Sequence, residues 1–243
     1  MKVLHVVGAR PNFMKVAPVV AALDQYTTVA QRIVHTGQHY DANMSDIFFT
    51  QLGLPKPDIN LEVGSGSHAV QTAQIMIKFE EVVLVEQPDW VLVYGDINST
   101  VAAALVAAKL HIPVAHVEAG LRSGDRTMPE EINRLVTDQI ADLLLTPSTD
   151  GDENLRREGI APAKIHCVGN VMIDTLVRLL PVAEKLTIRE ELAVPAHGYG
   201  LITLHRPSNV DEPAMLQKLM TTLLTISHEL PLVFPIHPRT RHR

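Results

Sequence analysis

Short β-rich apolar runs punctuate this chain, each followed at once by a turn and then by a stretch of helical length. Trp90-Val-Leu-Val-Tyr94 leads into Gly95-Asp96, and Pro113-Val-Ala-His-Val117 leads into Glu118-Ala-Gly-Leu-Arg122. Strands alternating with helices predict βα units, right-handed crossovers and a parallel sheet. Ligands of such sheets bind outside the carboxyl ends of the strands. Asp96 and Glu118 are therefore aimed at one crevice. Pro129-Glu130-Glu131-Ile-Asn133-Arg134 can open a helix that brings Glu130 beside them. Gathering acids at one place opposes stability, because like charges repel and burial adds to the cost. Acid–base chemistry is a good reason to tolerate it.

The same reading sets the organisation. Residues 2–7, 31–36, 90–94, 114–117, 143–146 and 165–168 read as strands. Residues 13–23, 43–52, 68–86, 100–110 and 130–140 read as helices, a further helix ends over 155–158, and 55–67 reads as a polar loop. That makes one Rossmann-like domain over residues 1–170. A bridging helix over 171–185 opens a second region, 171–243, with strands at 200–204 and 232–236 around a helix at 213–229. Two strands and one helix cannot cover a doubly wound sheet on both faces. The second Rossmann-like domain is thus expected to be incomplete, either as part of a longer chain or with its bare surface covered by another one.

A net charge of −6 argues against a general nucleic-acid surface, which needs a broad basic patch. No stretch approaches the roughly 18 uninterrupted apolar residues of a membrane span. The chain has a single cysteine, Cys167, which rules out an intrachain disulfide and fits a reducing cytoplasm. Its strand-like surroundings predict an inert buried thiol.

Gly8-Ala-Arg10-Pro-Asn-Phe-Met-Lys15 joins the first strand to the first helix. A glycine turn at a helix N-terminus with two cations favours an anion such as phosphate. The turn is neither a P-loop nor a full G-x-G-x-x-G, so a nicotinamide dinucleotide is poorly supported. Asp96 has two readings: a catalytic acid, or a helix cap in a segment where Asn98, Ser99 and Thr100 can also cap. Glu118 is either catalytic or an ion-pair partner of Arg122 or Arg126. Glu130 alone is explained by the helix dipole, and Glu131 with Arg134 by an i,i+3 surface pair. His39 and His116 lack metal-ligand spacing, so no catalytic metal is expected. His205-Arg206 stands at a strand end in the second region, the place Asp96 holds in the first; His237-Pro-Arg239 is a weaker parallel. Carboxylates facing Arg, Lys and His across two such units suit a phosphorylated substrate in an interdomain cleft.

These residues also carry a family resemblance. Gly8-Ala-Arg-Pro-Asn, Gly95-Asp96, His116-Val-Glu-Ala-Gly-Leu-Arg122, Pro129-Glu-Glu-Ile-Asn-Arg134, Val168-Gly-Asn-Val-Met-Ile-Asp174 and Thr203-Leu-His-Arg206 resemble the bacterial non-hydrolysing UDP-N-acetylglucosamine 2-epimerases, along the whole chain. The resemblance implies an α/β, glycosyltransferase-B-like fold of two Rossmann-like domains and a homodimer. It implies interconversion of UDP-N-acetylglucosamine and UDP-N-acetylmannosamine without metal or other cofactor. The proton on sugar carbon 2 is removed, UDP leaves carbon 1, and the resulting 2-acetamidoglucal is reprotonated on its other face before UDP adds back. Carried over, Asp96, Glu118, Glu130 and His205 are the catalytic candidates, and Arg10, Lys15, Glu131, Arg134 and Arg206 the substrate-binding ones. Many relatives have Thr-Arg-Pro-Glu where this chain has Ala9-Arg-Pro-Asn12. The family's later glycine-rich and acidic segment, which grips the nucleotide, is absent, so weak or no activity is expected of this chain alone. Competing readings are a glycosyltransferase of the same fold, a hydrolysing 2-epimerase, an epimerase of a modified UDP-sugar such as a diacetamido uronate, and an inactive binding domain.

Overall fold

Val3, Leu4, Val6 and Val7 are all buried, as a strand covered on both faces requires. The computed structural model describes residues 1–37, 49 and 51–241. Over them the chain forms two compact units, Met1–Leu180 and Pro181–Arg243.

The first unit is built on seven strands: β1 (Lys2–Val7), β2 (Ala30–His35), β3 (Ile59–Asn60), β4 (Trp90–Tyr94), β5 (Val114–Val117), β6 (Leu143–Thr146) and β7 (Ile165–Cys167). Every pairing is parallel and the order is β3-β2-β1-β4-β5-β6-β7. Helices α1 (Arg10–Leu23), α2 (His68–Glu86), α3 (Asn98–Lys109), α4 (Pro129–Ile140), α5 (Thr149–Arg157) and α6 (Val171–Ala183) connect or follow the strands. Alternate residues of each central strand feed two cores. Leu4, Val6, Val91, Val93 and Val114 pack with Ile75 and Phe79 of α2 and the alanines of α3. Val3, Val7, Leu92, Tyr94, Ala115 and Val117 pack with Phe13, Val16 and Val20 of α1. The Ala-rich α3 can lie close on the sheet because its side chains are small: Ala102, Ala103, Ala104 and Ala107 are fully buried.

The strands expected over 200–204 and 232–236 are shorter, only Gly200–Leu201 and Leu232–Val233; in the first unit the observed boundaries stay close to the expected ones, with three differences. The loop over 55–67 contains β3, an edge strand of two residues that pairs with Val34 and His35; so short a run carries no periodicity to read. The helix expected over 43–52, like His39, falls largely or wholly outside the described residues. Cys167 is exposed, because β7 is the sheet's edge and only Ile165 of its three residues turns inward. The expectation of a buried thiol is therefore corrected.

The second unit holds β8 (Gly200–Leu201), paired in parallel with β9 (Leu232–Val233), and four helical segments. These are α7 (Ile188–Glu191), α8 (Pro207–Val210), α9 (Pro213–Ser227) and α10 (Pro238–Arg241). No residue of α9 is buried, and Leu201, Leu224 and Ile226 are exposed. None of the helices described is long and apolar enough to cross a membrane.

Candidate active site at the carboxyl edge of the first sheet

Strand order reverses between β1 and β4, so the crevice outside their carboxyl ends is the topological switch point of the sheet. β1 runs into Gly8. A Cβ there would lie 2.3 Å from Ser99 Oγ and 2.5 Å from Thr36 Oγ1, so only glycine allows this turn against its neighbours. Asn12, in the first turn of α1, closes the turn. Its Oδ1 accepts from the N–H groups of Gly8 (3.1 Å) and Ala9 (3.3 Å), and its Nδ2 donates to Tyr94 O at 2.9 Å. One short side chain thus ties the end of β1 to the end of β4. Arg10 begins the helix and is exposed.

Lys15 lies one turn further along α1. It is buried and forms an ion pair with Glu118. A Cβ on Gly95 would lie 2.7 Å from Lys15 Nζ and 3.3 Å from Glu118 Oε2, so this pair packs directly against the residue preceding Asp96. Lys15 therefore faces a carboxylate before it faces any anion. The ion pair considered for Glu118 with Arg122 or Arg126 is replaced by this one. Glu118 itself has φ of +73°, a region that costs a non-glycine residue about 1–3 kcal/mol and is concentrated at functional sites. The N–H groups of Glu118 and Ala119 both donate to Leu145 O, at 3.0 and 3.1 Å, which holds the turn.

Asp96 follows β4. Its carboxylate pairs with Arg134 of α4, and its carbonyl accepts from Asn133 Nδ2 at 2.8 Å. It is not the cap of α3. Ile97 precedes that helix and no side chain caps it. Asn98, Ser99 and Thr100 lie inside the helix and are buried, with Thr100 Oγ1 donating to Tyr94 O at 2.8 Å. Glu130 sits half-buried in the first turn of α4, four residues before Arg134. The structure thus brings Glu118 against Lys15 and Asp96 against Arg134, with Gly95 between the two pairs.

Glu131 forms the expected i,i+3 pair with Arg134, but in the interior rather than on the surface. It is 3% exposed. Its carboxylate accepts from the N–H groups of Ser123 (3.0 Å) and Gly124 (3.1 Å) and from Arg134 Nη1 (3.0 Å). Burial alone would raise its carboxyl, but these donors hold it below the ordinary carboxylate range. It organises the 123–124 turn and orients Arg134.

Sequence reasoning weighed His116 only as a metal ligand and did not reach Asp138. His116 of β5 is fully buried, with Nδ1 2.6 Å from Asp138 Oδ1 and Nε2 2.7 Å from Gly95 O. Asp138, also fully buried, accepts from Gly120 N at 3.1 Å and pairs with Arg122 Nη1 at 2.8 Å. Burial raises the Asp138 carboxyl, but His116 and Arg122 outweigh it and hold it low. The available signal was Asp138's place two helical turns after Glu131, on the same face of α4.

In the second unit His205 and Arg206 are exposed. The His205 and His237 rings lie 5.4 Å apart, and Arg239 grips Asp211 through two hydrogen bonds of 2.9 and 2.6 Å. A groove of about 630 Å³ in the first unit is lined by Thr72, Met76, Asn98, Arg126 and Ile132 among others. It shares only Asn98 and Asn133 with the surroundings of Asp96, and neither Asp96, Glu118 nor Glu130 lines it. Charge and strand-end placement, not cavity size, single out this candidate site. Among the described residues no three His, Cys, Asp or Glu side chains gather as metal ligands.

The family model for UDP-N-acetylglucosamine 2-epimerase matches residues 21–243. A UDP-2,3-diacetamido-2,3-dideoxy-D-glucuronate 2-epimerase from Pseudomonas aeruginosa is 48% identical over 99% of this chain and 68% of its own length. A UDP-N-acetylglucosamine 2-epimerase homolog from Methanococcus maripaludis is 48% identical over 99% of this chain and 67% of its own. The crystal structure of the Methanocaldococcus jannaschii UDP-GlcNAc 2-epimerase in complex with UDP-GlcNAc and UDP superposes with a TM-score of 0.89 at 45% identity, covering 100% of this chain and 67% of that one. The chain thus spans about two thirds of the length of these relatives.

Proposed function

The chain belongs to the UDP-N-acetylglucosamine 2-epimerase family and is an isomerase of that family, and we propose that it interconverts UDP-N-acetylglucosamine and UDP-N-acetylmannosamine by moving a proton at carbon 2 of the sugar. Its fold is α/β and glycosyltransferase-B-like, as in the relative solved with UDP-GlcNAc and UDP. The observation that carries the reading is the meeting of Asp96 and Glu118 at the switch point, each with its own cation, Arg134 and Lys15.

Inverting a carbon needs proton traffic on both faces of the ring, which explains several carboxylates in one crevice. Asp96, Glu118 and Glu130 are assigned that traffic. Lys15 and Arg134 offset the repulsion that would otherwise scatter the acids. UDP leaves carbon 1 as 2-acetamidoglucal forms, and a departing diphosphate needs cations. Arg10, exposed at the start of α1, is assigned to it. The reaction carries no net oxidation, since carbon 2 loses one proton and gains another, so no nicotinamide is required. Asp96→Asn should cut turnover at least about 100-fold while circular dichroism and melting stay close to those of the parent. Near-normal turnover would remove Asp96 from the mechanism.

The Pseudomonas relative supports a second reading, an epimerase of a diacetamido uronate linked to UDP. Competition between that sugar and UDP-N-acetylglucosamine, read as kcat/KM, distinguishes the two. The same proposal includes a homodimer and a cytoplasmic setting. One support for the dimer is the exposed apolar stripe of α2, where Val70, Ile77, Leu84 and Val85 are each at least half exposed.

A further inference from the structure

Two fully buried polar side chains, His116 and Asp138, sit behind the acid-bearing loops rather than among the acids. Such a pair is poorly explained by stability. Replacing buried, paired polar groups with apolar residues of similar volume is often neutral or stabilising. The contacts give it another use. The Nε2 of His116 faces the carbonyl of Gly95, at 2.7 Å. A carbonyl only accepts, so Nε2 carries a proton and donates. On the other side of the ring, Nδ1 lies 2.6 Å from Asp138 Oδ1. The other oxygen of Asp138 accepts from Gly120 N at 3.1 Å and meets Arg122 Nη1 at 2.8 Å. Arg122 in turn grips Glu158 through two hydrogen bonds of 2.7 and 2.6 Å.

Both acid-bearing loops are thus fastened to one buried pair. Gly95 precedes Asp96, and Gly120 and Arg122 follow Glu118. The Glu118 turn needs such fastening, because Glu118 is a non-glycine residue with φ of +73°. We propose that His116 and Asp138 are positioning residues of the reaction: a rigid brace that pins the Gly95 carbonyl on one side and the Gly120–Arg122 chain on the other, fixing the Asp96 and Glu118 carboxylates relative to each other. This rests on the assignment of Asp96 and Glu118 as the acid–base groups. Neither His116 nor Asp138 touches substrate. A displacement of about 1 Å at a reacting group can cost on the order of 100-fold in rate, so the brace acts on kcat and leaves substrate binding alone.

The test has two arms. In the first, ¹⁵N NMR of histidine-labelled protein without substrate reads the protonation of the His116 ring. The brace requires a proton on Nε2; an unprotonated Nε2 overturns it, whatever the protein catalyses. In the second, His116→Gln, which keeps a donor for the Gly95 carbonyl, is compared with His116→Phe, which keeps none. With UDP-N-acetylglucosamine, kcat should fall about 100-fold in the Phe variant and about 10-fold in the Gln variant, with KM within about twofold of the parent. Equal losses in both variants, a loss carried by KM, or an unchanged kcat in folded His116→Phe overturns the brace. If His116→Phe does not fold, the NMR arm decides. If the parent itself turns over no UDP-sugar, the functional assignment fails and the NMR arm still judges the hydrogen bonds.

Discussion

Glu118 occupies backbone space that a non-glycine residue avoids, at φ of +73°, and its carboxylate is held by a buried lysine 103 residues away in sequence. Neither fact was legible in the sequence. Backbone sign has no signature when the residue is not glycine, and the Lys15 partnership exists only once β1 and β5 lie in one sheet. Legible was the placement of Asp96 and Glu118 at strand ends, because an apolar run followed directly by an acid states it. His5 shows a polar residue with a structural task. It is fully buried, with Nδ1 2.7 Å from Tyr94 Oη and Nε2 2.9 Å from Gln31 Oε1. Burial lowers its pKa to about 4 from 6.5, so the folded protein keeps it neutral while the unfolded chain protonates it below pH 6.5. Its contribution is complete above that value and is lost as pH falls towards 4. Urea unfolding at pH 7 and pH 5 should show about 2 kcal/mol more loss in the parent than in His5→Gln. Parallel pH dependence in the two proteins would contradict this.

At the scale of elements, the strand ends approach their helices so closely that glycine is obligatory. Gly120 has φ of +80°, and a Cβ there would lie 2.5 Å from Gly151 O in the first turn of α5. Gly120→Ala should therefore destabilise the protein by at least about 2 kcal/mol, through both strain and clash; a melting temperature within a degree of the parent would contradict that. The long helix α2 was legible to the residue, His68–Glu86, since its apolar residues recur at helical spacing between Ser67 and Pro88. The edge strand β3 was not, because two residues cannot show a period. The buried Asp138 was hidden for a different reason: a polar residue on an amphipathic helix reads as solvated until the partner strand is known.

For the whole molecule, the mixed polarity of α2 separates two duties. Ile75, Phe79 and Val83 are buried in the first unit, while Ile77 and Leu84 remain exposed. If those exposed residues form the interface of a homodimer, Ile77→Glu with Leu84→Glu should halve the mass seen by light scattering without altering the far-ultraviolet spectrum. A parent already monomeric at micromolar concentration would contradict the dimer. Belonging to the family was legible from the Val117-Glu-Ala-Gly-Leu-Arg122 and Pro129-Glu-Glu-Ile-Asn-Arg134 blocks, because proton transfer at carbon fixes residue types at fixed places. The choice of sugar was not, since relatives named for different UDP-sugars are similarly close in sequence, at 48% and 46% identity. The central claim is proton transfer at carbon 2. Proton NMR of this protein with UDP-N-acetylglucosamine in deuterated water tests it most directly. The account predicts deuterium at carbon 2 with growth of a UDP-N-acetylmannosamine signal, slow but abolished by Asp96→Asn. Epimer that keeps its original carbon-2 hydrogen, or no exchange at all from folded protein, would contradict it.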